Sequence, residues 1–176
     1  MNDINYFDIV DQKGRLSMHD YEKACSLTQI VAIDLLLKTN DDRYLLGLRK
    51  NPPAKDTFFV PGGRVYKFES LDDGLRRILK DELGLDKNKC SYSFYGVYEH
   101  IYPRDSPMGS SHNISTHYIT FAFVINIGSE MNIDFEVLKN QHSSFVFMNK
   151  NEILNSESVH NITKKYFILN SDNRFN

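Results

Sequence analysis

Gly63, Glu69, Arg77, Glu82 and Gly84 stand at spacings that gather two carboxylates and a guanidinium around one glycine-rich stretch and the segment after it. These are the parts of a site for a hard cation and a phosphate. Carboxylate and carbonyl oxygens hold Mg²⁺ while it keeps some of its waters, and a guanidinium reads phosphate oxygens. With Leu79 and Leu85, seven positions between residues 63 and 85 share one regular pattern. A lone Gly-Gly with a glutamate carries little information, whereas the joint spacing is specific. Taken by themselves, Glu69 and Arg77 also read as a structural ion pair that ties a loop to a helix.

A strand, a turn and a helix must position these side chains. Ser70 with Asp73 three residues on resembles a capping box. Leu71, Leu75, Ile78, Leu79 and Leu83 recur on one face, and Gly84 suits the position just past the last turn, so a helix is expected there. Before it, TFFV (57–60) reads as a short strand, and Pro61-Gly62-Gly63 as a loop whose backbone approaches a ligand. Upstream, QIVAIDLLL (29–37) and RYLLGLR (43–49) flank Asn40-Asp41-Asp42 and read as a hairpin. Asp34 is out of place in that first strand: a carboxylate among apolar residues is a buried acceptor or faces a ligand. Downstream, SYSFYGVYEHIY (91–102) and STHYITFAFVI (115–125), joined by the polar stretch 103–113, read as a second hairpin. Tyr98 and His100 alternate along it and share a face. SSFVFMN offers a final strand, and 149–155 and 156–169 read as helices, the second with Val159, Ile162, Tyr166 and Phe167 on one side.

The 176 residues, 41% of them hydrophobic, suit one domain, expected over 27–170 and preceded by an arm, 1–26, whose Tyr6, Phe7, Ile9 and Val10 fit an interface. The formal charge of −2 comes without a basic stripe, so nucleic acid is not an expected partner. No apolar run approaches the ~20 residues of a membrane span and the N-terminus has no basic or apolar leader, so a cytoplasmic protein with no membrane partner is expected. Cys25 and Cys90 read as unpaired thiols.

Residues 63–85 resemble the Nudix signature, with Ile78 and Asp81 where that signature has glutamates. Within that superfamily, roughly residues 17–168 resemble the GDP-mannose mannosyl hydrolases. The likeness rests on VAIDLLL with Asp34, LLGLRKNPPA with Arg49, FFVPGGRV with Gly62, Gly63 and Arg64, and LKDELGL with Glu82. It extends to FYGVYEH with His100, STHY with Tyr118, and NQH with Gln141 and His142. The resemblance implies an α/β (α+β) Nudix fold, a mixed β-sheet sandwiched between helices (α/β/α). It also implies Mg²⁺-dependent hydrolysis of a nucleotide sugar, a GDP-hexose, to GDP and free sugar, with inversion at the anomeric carbon, in a homodimer that serves polysaccharide metabolism.

One Mg²⁺, with Mn²⁺ as an alternative, is then expected on the Gly62 carbonyl, Glu82 and Gln141. Ile78 and Asp81 take side-chain oxygens away from the acid cluster that would bind more than one metal. Arg49, Arg64 and Arg77 would neutralise charge on the departing β-phosphate. His142 is the expected base, since neutral imidazole has a suitable pKa. Asp34 would bind sugar hydroxyls or orient the base, and His100 and Tyr118 would contact substrate. Phe145, where the family has a tyrosine, and the stretch from Pro103 to Ser115 depart from the pattern and bear on the choice of sugar. Two other readings remain open from sequence: a Nudix pyrophosphohydrolase that cleaves at phosphorus, and a non-catalytic module that binds a nucleotide sugar.

Overall fold

The computed structural model describes residues 14, 16–51, 54–86, 88, 90–102, 114–127, 133–139 and 142–168. The first hairpin forms as expected, from β1 (Ile30–Thr39) and β2 (Arg43–Arg49), with Asp42 in the left-handed region (φ 58°) at the turn. Burial on both faces of β1 explains its near-continuous apolar run. Ile33, Leu35 and Leu37 pack with Leu75, Ile78, Leu79 and Leu83 of α2 (Leu71–Leu83), whereas Leu36 packs on the other face with Ile162, Tyr166 and Phe167. Helices therefore cover both sides of the sheet.

The second hairpin is also present, as β5 (Ser91–Tyr102) and β6 (Thr116–Ile127). β6 runs parallel to β1, from Ile30↔Tyr118 to Thr39↔Ile127, while the other strand pairs are antiparallel, so the sheet is mixed. Its main order is β3-β2-β1-β6-β5, with β3 at Phe58–Phe59, and β7 (His142–Asn149) pairs with β2. α2 begins where Ser70 Oγ accepts the Asp73 N–H at 3.1 Å. It ends at Gly84, whose φ of 67° lets its N–H turn back to the Leu79 and Lys80 carbonyls.

Two expectations need correction, and one helix is added. Gly62–Arg64 is not a loop but a short strand, β4, because antiparallel pairing with Ala32, Ile33 and Asp34 of β1 satisfies its backbone. A helix, α1 (Met18–Leu27), capped by the Ser17 side chain, occupies the end of the expected arm and runs past its boundary at residue 26. Of the stretch expected as one helix over 156–169, the described residues are α-helical only at α5 (Asn161–Lys165), since Phe58 of β3 bonds instead to the Ser158 carbonyl and the His160 N–H. α3 (Phe135–Leu138) and α4 (Lys150–Asn155), the latter with a complete Asn149–Glu152 capping box, finish the described fold. Tyr6, Phe7, Ile9 and Val10, the loop 103–113 and Gln141 lie outside the described residues.

Candidate active site

A cleft of about 760 Å³ opens between α1, β1, β4, α2, β5 and β6. Of the residues singled out by sequence, it gathers Asp34, Arg49, Gly62, Arg64, Arg77, Glu82, His100 and Tyr118.

One wall belongs to α2 and the turn before it. Arg77 Nε donates to Glu69 Oε1 at 2.6 Å and its Nη2 donates to Glu69 Oε2 and the Arg64 carbonyl, both at 2.8 Å. Glu69 Oε2 also accepts the Tyr66 N–H. Burial alone would raise the Glu69 pKa, but these hydrogen bonds outweigh it and hold the carboxyl below its ordinary value. Arg77 thus locks loop to helix, with the Tyr66 ring 3.8 Å beneath its guanidinium. Ile78 is 1% exposed and packs in the core, so no carboxylate stands at that turn of the helix, while Asp81 and Glu82 line the cleft.

Gly62 lines the same cleft, and a Cβ there would collide with Asp34 Oδ1 and the Ile33 carbonyl, so only glycine lets the chain run this close. Among the described residues, no group of three or more His, Cys, Asp or Glu stands ready to hold a metal. Among the oxygen donors that line the cleft, the buried Glu82 carboxylate, Asp81 and the Gly62 backbone have the chemistry to hold a hard cation whose shell would be completed by water and ligand oxygens.

The opposite wall carries Asp34. Asp34 is 7% exposed, yet it lines the cleft, so it is a buried acceptor that also reaches the cleft. Burial pushes its pKa up to about 7, against the pull of the Tyr166 hydrogen bond and of Arg49. Tyr166 donates to Asp34 Oδ2 at 2.6 Å and its oxygen lies 3.0 Å from His100 Nε2. His100 Nδ1 is 3.2 Å from Thr120 Oγ1, so both ring nitrogens are engaged inside the fold. Sequence reasoning passed over Tyr166 and Thr120. The available signal was a hydroxyl on the apolar face of the last helix, opposite a carboxylate in an apolar strand.

Around the mouth, the Arg64 guanidinium lies 4.1 Å from the Tyr21 ring and 5.3 Å from Tyr66, and Arg49 lies 5.8 Å from Phe59. The hydroxyls of Tyr118 and Tyr21 are 2.9 Å apart, and burial pushes the Tyr118 pKa up. Tyr21 comes from α1 and was not singled out by sequence.

His142 does not line this cleft. It is 1% exposed, pairs with Arg49 at the β2–β7 register, and packs its ring against Gly47, where any Cβ would collide, and near Phe145, 5.8 Å away. Burial, with Arg49 nearby, pushes its pKa down to about 4. In this conformation His142 thus stands outside the cleft, because the missing side chain at Gly47 leaves room for the ring beneath the strand.

A mixed sheet between helices, with a capped helix and a glycine strand presenting oxygens and arginines to one cleft, defines a fold and site for phosphate-bearing ligands. The chain belongs to the NUDIX domain family, whose profile matches residues 28–169. It is 33% identical over 129 residues to the low-salt glycan biosynthesis protein Agl8 of Haloferax volcanii, covering 73% of this chain and 76% of that protein. An ADP-ribose pyrophosphatase of Methanocaldococcus jannaschii is 36% identical over 103 residues, covering 57% of this chain and 53% of that one. The MutT NUDIX hydrolase from Burkholderia pseudomallei shares the fold, with a TM-score of 0.59 at 17% identity over 80% of this chain and 96% of that one. In coarse terms the protein is a Nudix hydrolase, of a family that acts on nucleotide-derived substrates with divalent cations such as Mg²⁺. No helix among the described residues is long and apolar enough to cross a membrane.

Proposed function

We propose that the protein hydrolyses a GDP-hexose of the GDP-mannose type to GDP and free sugar, with water attacking the anomeric carbon and inverting it. The placement of carboxylates carries this reading. Ile78 sits in the core where the family signature has an acid, so α2 is poor in the oxygens that phosphorus attack uses, whereas Asp34 offers a carboxylate on the other wall. A single Mg²⁺ on the Gly62 carbonyl, Glu82 and Gln141 would supply charge neutralisation to the diphosphate leaving group. Arg49 and Arg64 share that task, and Arg77 keeps Arg64 in place through its carbonyl. Tyr118 donates to a phosphate oxygen. Asp34 binds sugar hydroxyls and stabilises positive charge at the anomeric carbon.

For the base, the resemblance supports His142, whose ring must then leave Gly47 and enter the cleft. Asp34 is the alternative base, supported by the place of its carboxylate in the cleft. The Agl8 relative, named for glycan biosynthesis, supports a sugar-bearing ligand, and the ADP-ribose pyrophosphatase relative supports cleavage at phosphorus as the competing outcome.

The test is product analysis after incubation with GDP-mannose and Mg²⁺, by anion-exchange chromatography and proton NMR of the sugar. GDP and the inverted free sugar are expected. GMP with a sugar phosphate would establish the pyrophosphohydrolase, and intact GDP-mannose that raises the melting temperature would establish a binding module.

A further inference from the structure

Four side chains from distant parts of the chain meet at Asp34, which is one of them. They come from β1, β5, β6 and the residue that closes α5, and Asp34, His100, Thr120 and Tyr166 are between 1% and 7% exposed. With Asp34 ionised, the Tyr166 hydroxyl gives its one proton to Asp34 Oδ2 at 2.6 Å. Its oxygen, 3.0 Å from His100 Nε2, can then only accept, which puts the ring proton on Nε2. A neutral ring protonated there has an acceptor at Nδ1, so the Thr120 hydroxyl, 3.2 Å away, must donate to it. Burial, with lesser contributions from Lys165 and His160, pushes the His100 pKa down to about 3, in keeping with a neutral ring. Each donor thus points the same way, and every proton in the chain is committed.

We propose that Thr120, His100 and Tyr166 form a one-way hydrogen-bond relay that ends on Asp34 Oδ2 and holds that carboxylate with Oδ1, the oxygen beside Gly62, turned to the ligand. Tyr166 is the positioning residue of the relay, and His100 acts on Asp34 through it. This rests on the reading that Asp34 works at the sugar end of the cleft. A buried carboxylate without such a donor would have its other oxygen free to rotate toward any polar neighbour. Charge-assisted hydrogen bonds are the strong ones, so the loss of the Tyr166 proton is felt at Asp34 first.

Two measurements test this separately from the reaction itself. Long-range proton–nitrogen NMR of the full chain at about pH 8.5, where Asp34 is ionised, is expected to show His100 as a neutral Nε2–H tautomer. An Nδ1–H or doubly protonated ring would overturn the relay whatever the enzyme hydrolyses. With GDP-mannose, Tyr166→Phe is expected to lower kcat by roughly tenfold to a hundredfold. GDP binding with Mg²⁺, measured by calorimetry, should stay within about twofold of the parent. Equal losses in both, or none in either, would overturn the positioning role. Failure of the parent enzyme to release sugar would instead remove the functional reading and leave the tautomer test standing. Should Tyr166→Phe not fold, Thr120→Val keeps the claim testable: the His100 Nδ1 resonance is expected to move as its donor disappears, and an unmoved resonance would overturn the relay.

Discussion

The α2 wall of the cleft owes its geometry to neighbours in sequence, whereas the Asp34 wall is assembled from residues up to 132 positions apart. Ser70, Glu69, Arg77 and Gly84 lie within one turn-and-helix unit and fix one another through a cap, an ion pair and a left-handed terminus. Asp34, His100, Thr120 and Tyr166 meet only because β1 and β6 run parallel and α5 lies over the face that Leu36 shares. The first wall offers donors for cation and phosphate, and the second offers a pre-set carboxylate. On the proposed reading the labour is divided, with charge handled by Glu82 of α2 together with Gly62, Arg64 and Arg49, and sugar chemistry by Asp34 of β1.

The sharpest way to break that division is at the base. His142→Gln should lower kcat by about 10²–10⁴ with detectable activity left, and by more than Asp34→Asn does. The reverse ranking in steady-state kinetics would move the base to Asp34 and concentrate the chemistry on its wall. Next in size is Glu82→Gln. It should weaken Mg²⁺ dependence and activity together, by at least the roughly tenfold that a lost outer-shell partner costs. An unchanged metal titration would take Glu82 out of the cation site.

Ile78→Glu restores the acid of the family signature but puts it at a 1% exposed position. It should lower stability in urea by roughly 3 kcal/mol or more without raising turnover of GDP-mannose. A large gain in activity would mean that the α2 wall performs attack at phosphorus.

The smallest effect concerns pH. Because burial holds His100 at about 3 against an ordinary 6.5, the unfolded chain binds a proton in that interval that the folded chain refuses. Stability from this residue is full above pH 6.5 and drains away as pH falls toward 3, and His142, at about 4, adds to the same slope. Asp34, raised from 3.8 to about 7, acts oppositely, since the folded chain keeps a proton that the unfolded chain releases. The melting temperature of His100→Gln should therefore fall less steeply between pH 6.5 and 4 than that of the parent, and an equal slope would place the acid sensitivity elsewhere.

The contrast between the walls also explains what could be read from the sequence. The helix after Ser70, its stop at Gly84 and the Glu69–Arg77 pair were legible because they are short-range patterns. The two hairpins were legible from strand composition and turn residues. Asp34 announced itself as one carboxylate in an apolar strand, but its partner did not, because a tyrosine on an amphipathic stretch reads as core until the tertiary fold brings a carboxylate to it. β4 was hidden by its two glycines and three-residue length, and α1 by a weakly apolar composition despite its Ser17 cap. The place of His142 depended on the β2–β7 register and on the space at Gly47, neither of which has a local signature.

The most direct test of the division between walls is hydrolysis of GDP-mannose with Mg²⁺ in ¹⁸O-labelled water, followed by mass spectrometry of every product. Label in the free sugar with unlabelled GDP is the expected result and places water at the anomeric carbon, on the Asp34 side. Label in GMP or in a sugar phosphate would contradict it and return the chemistry to phosphorus.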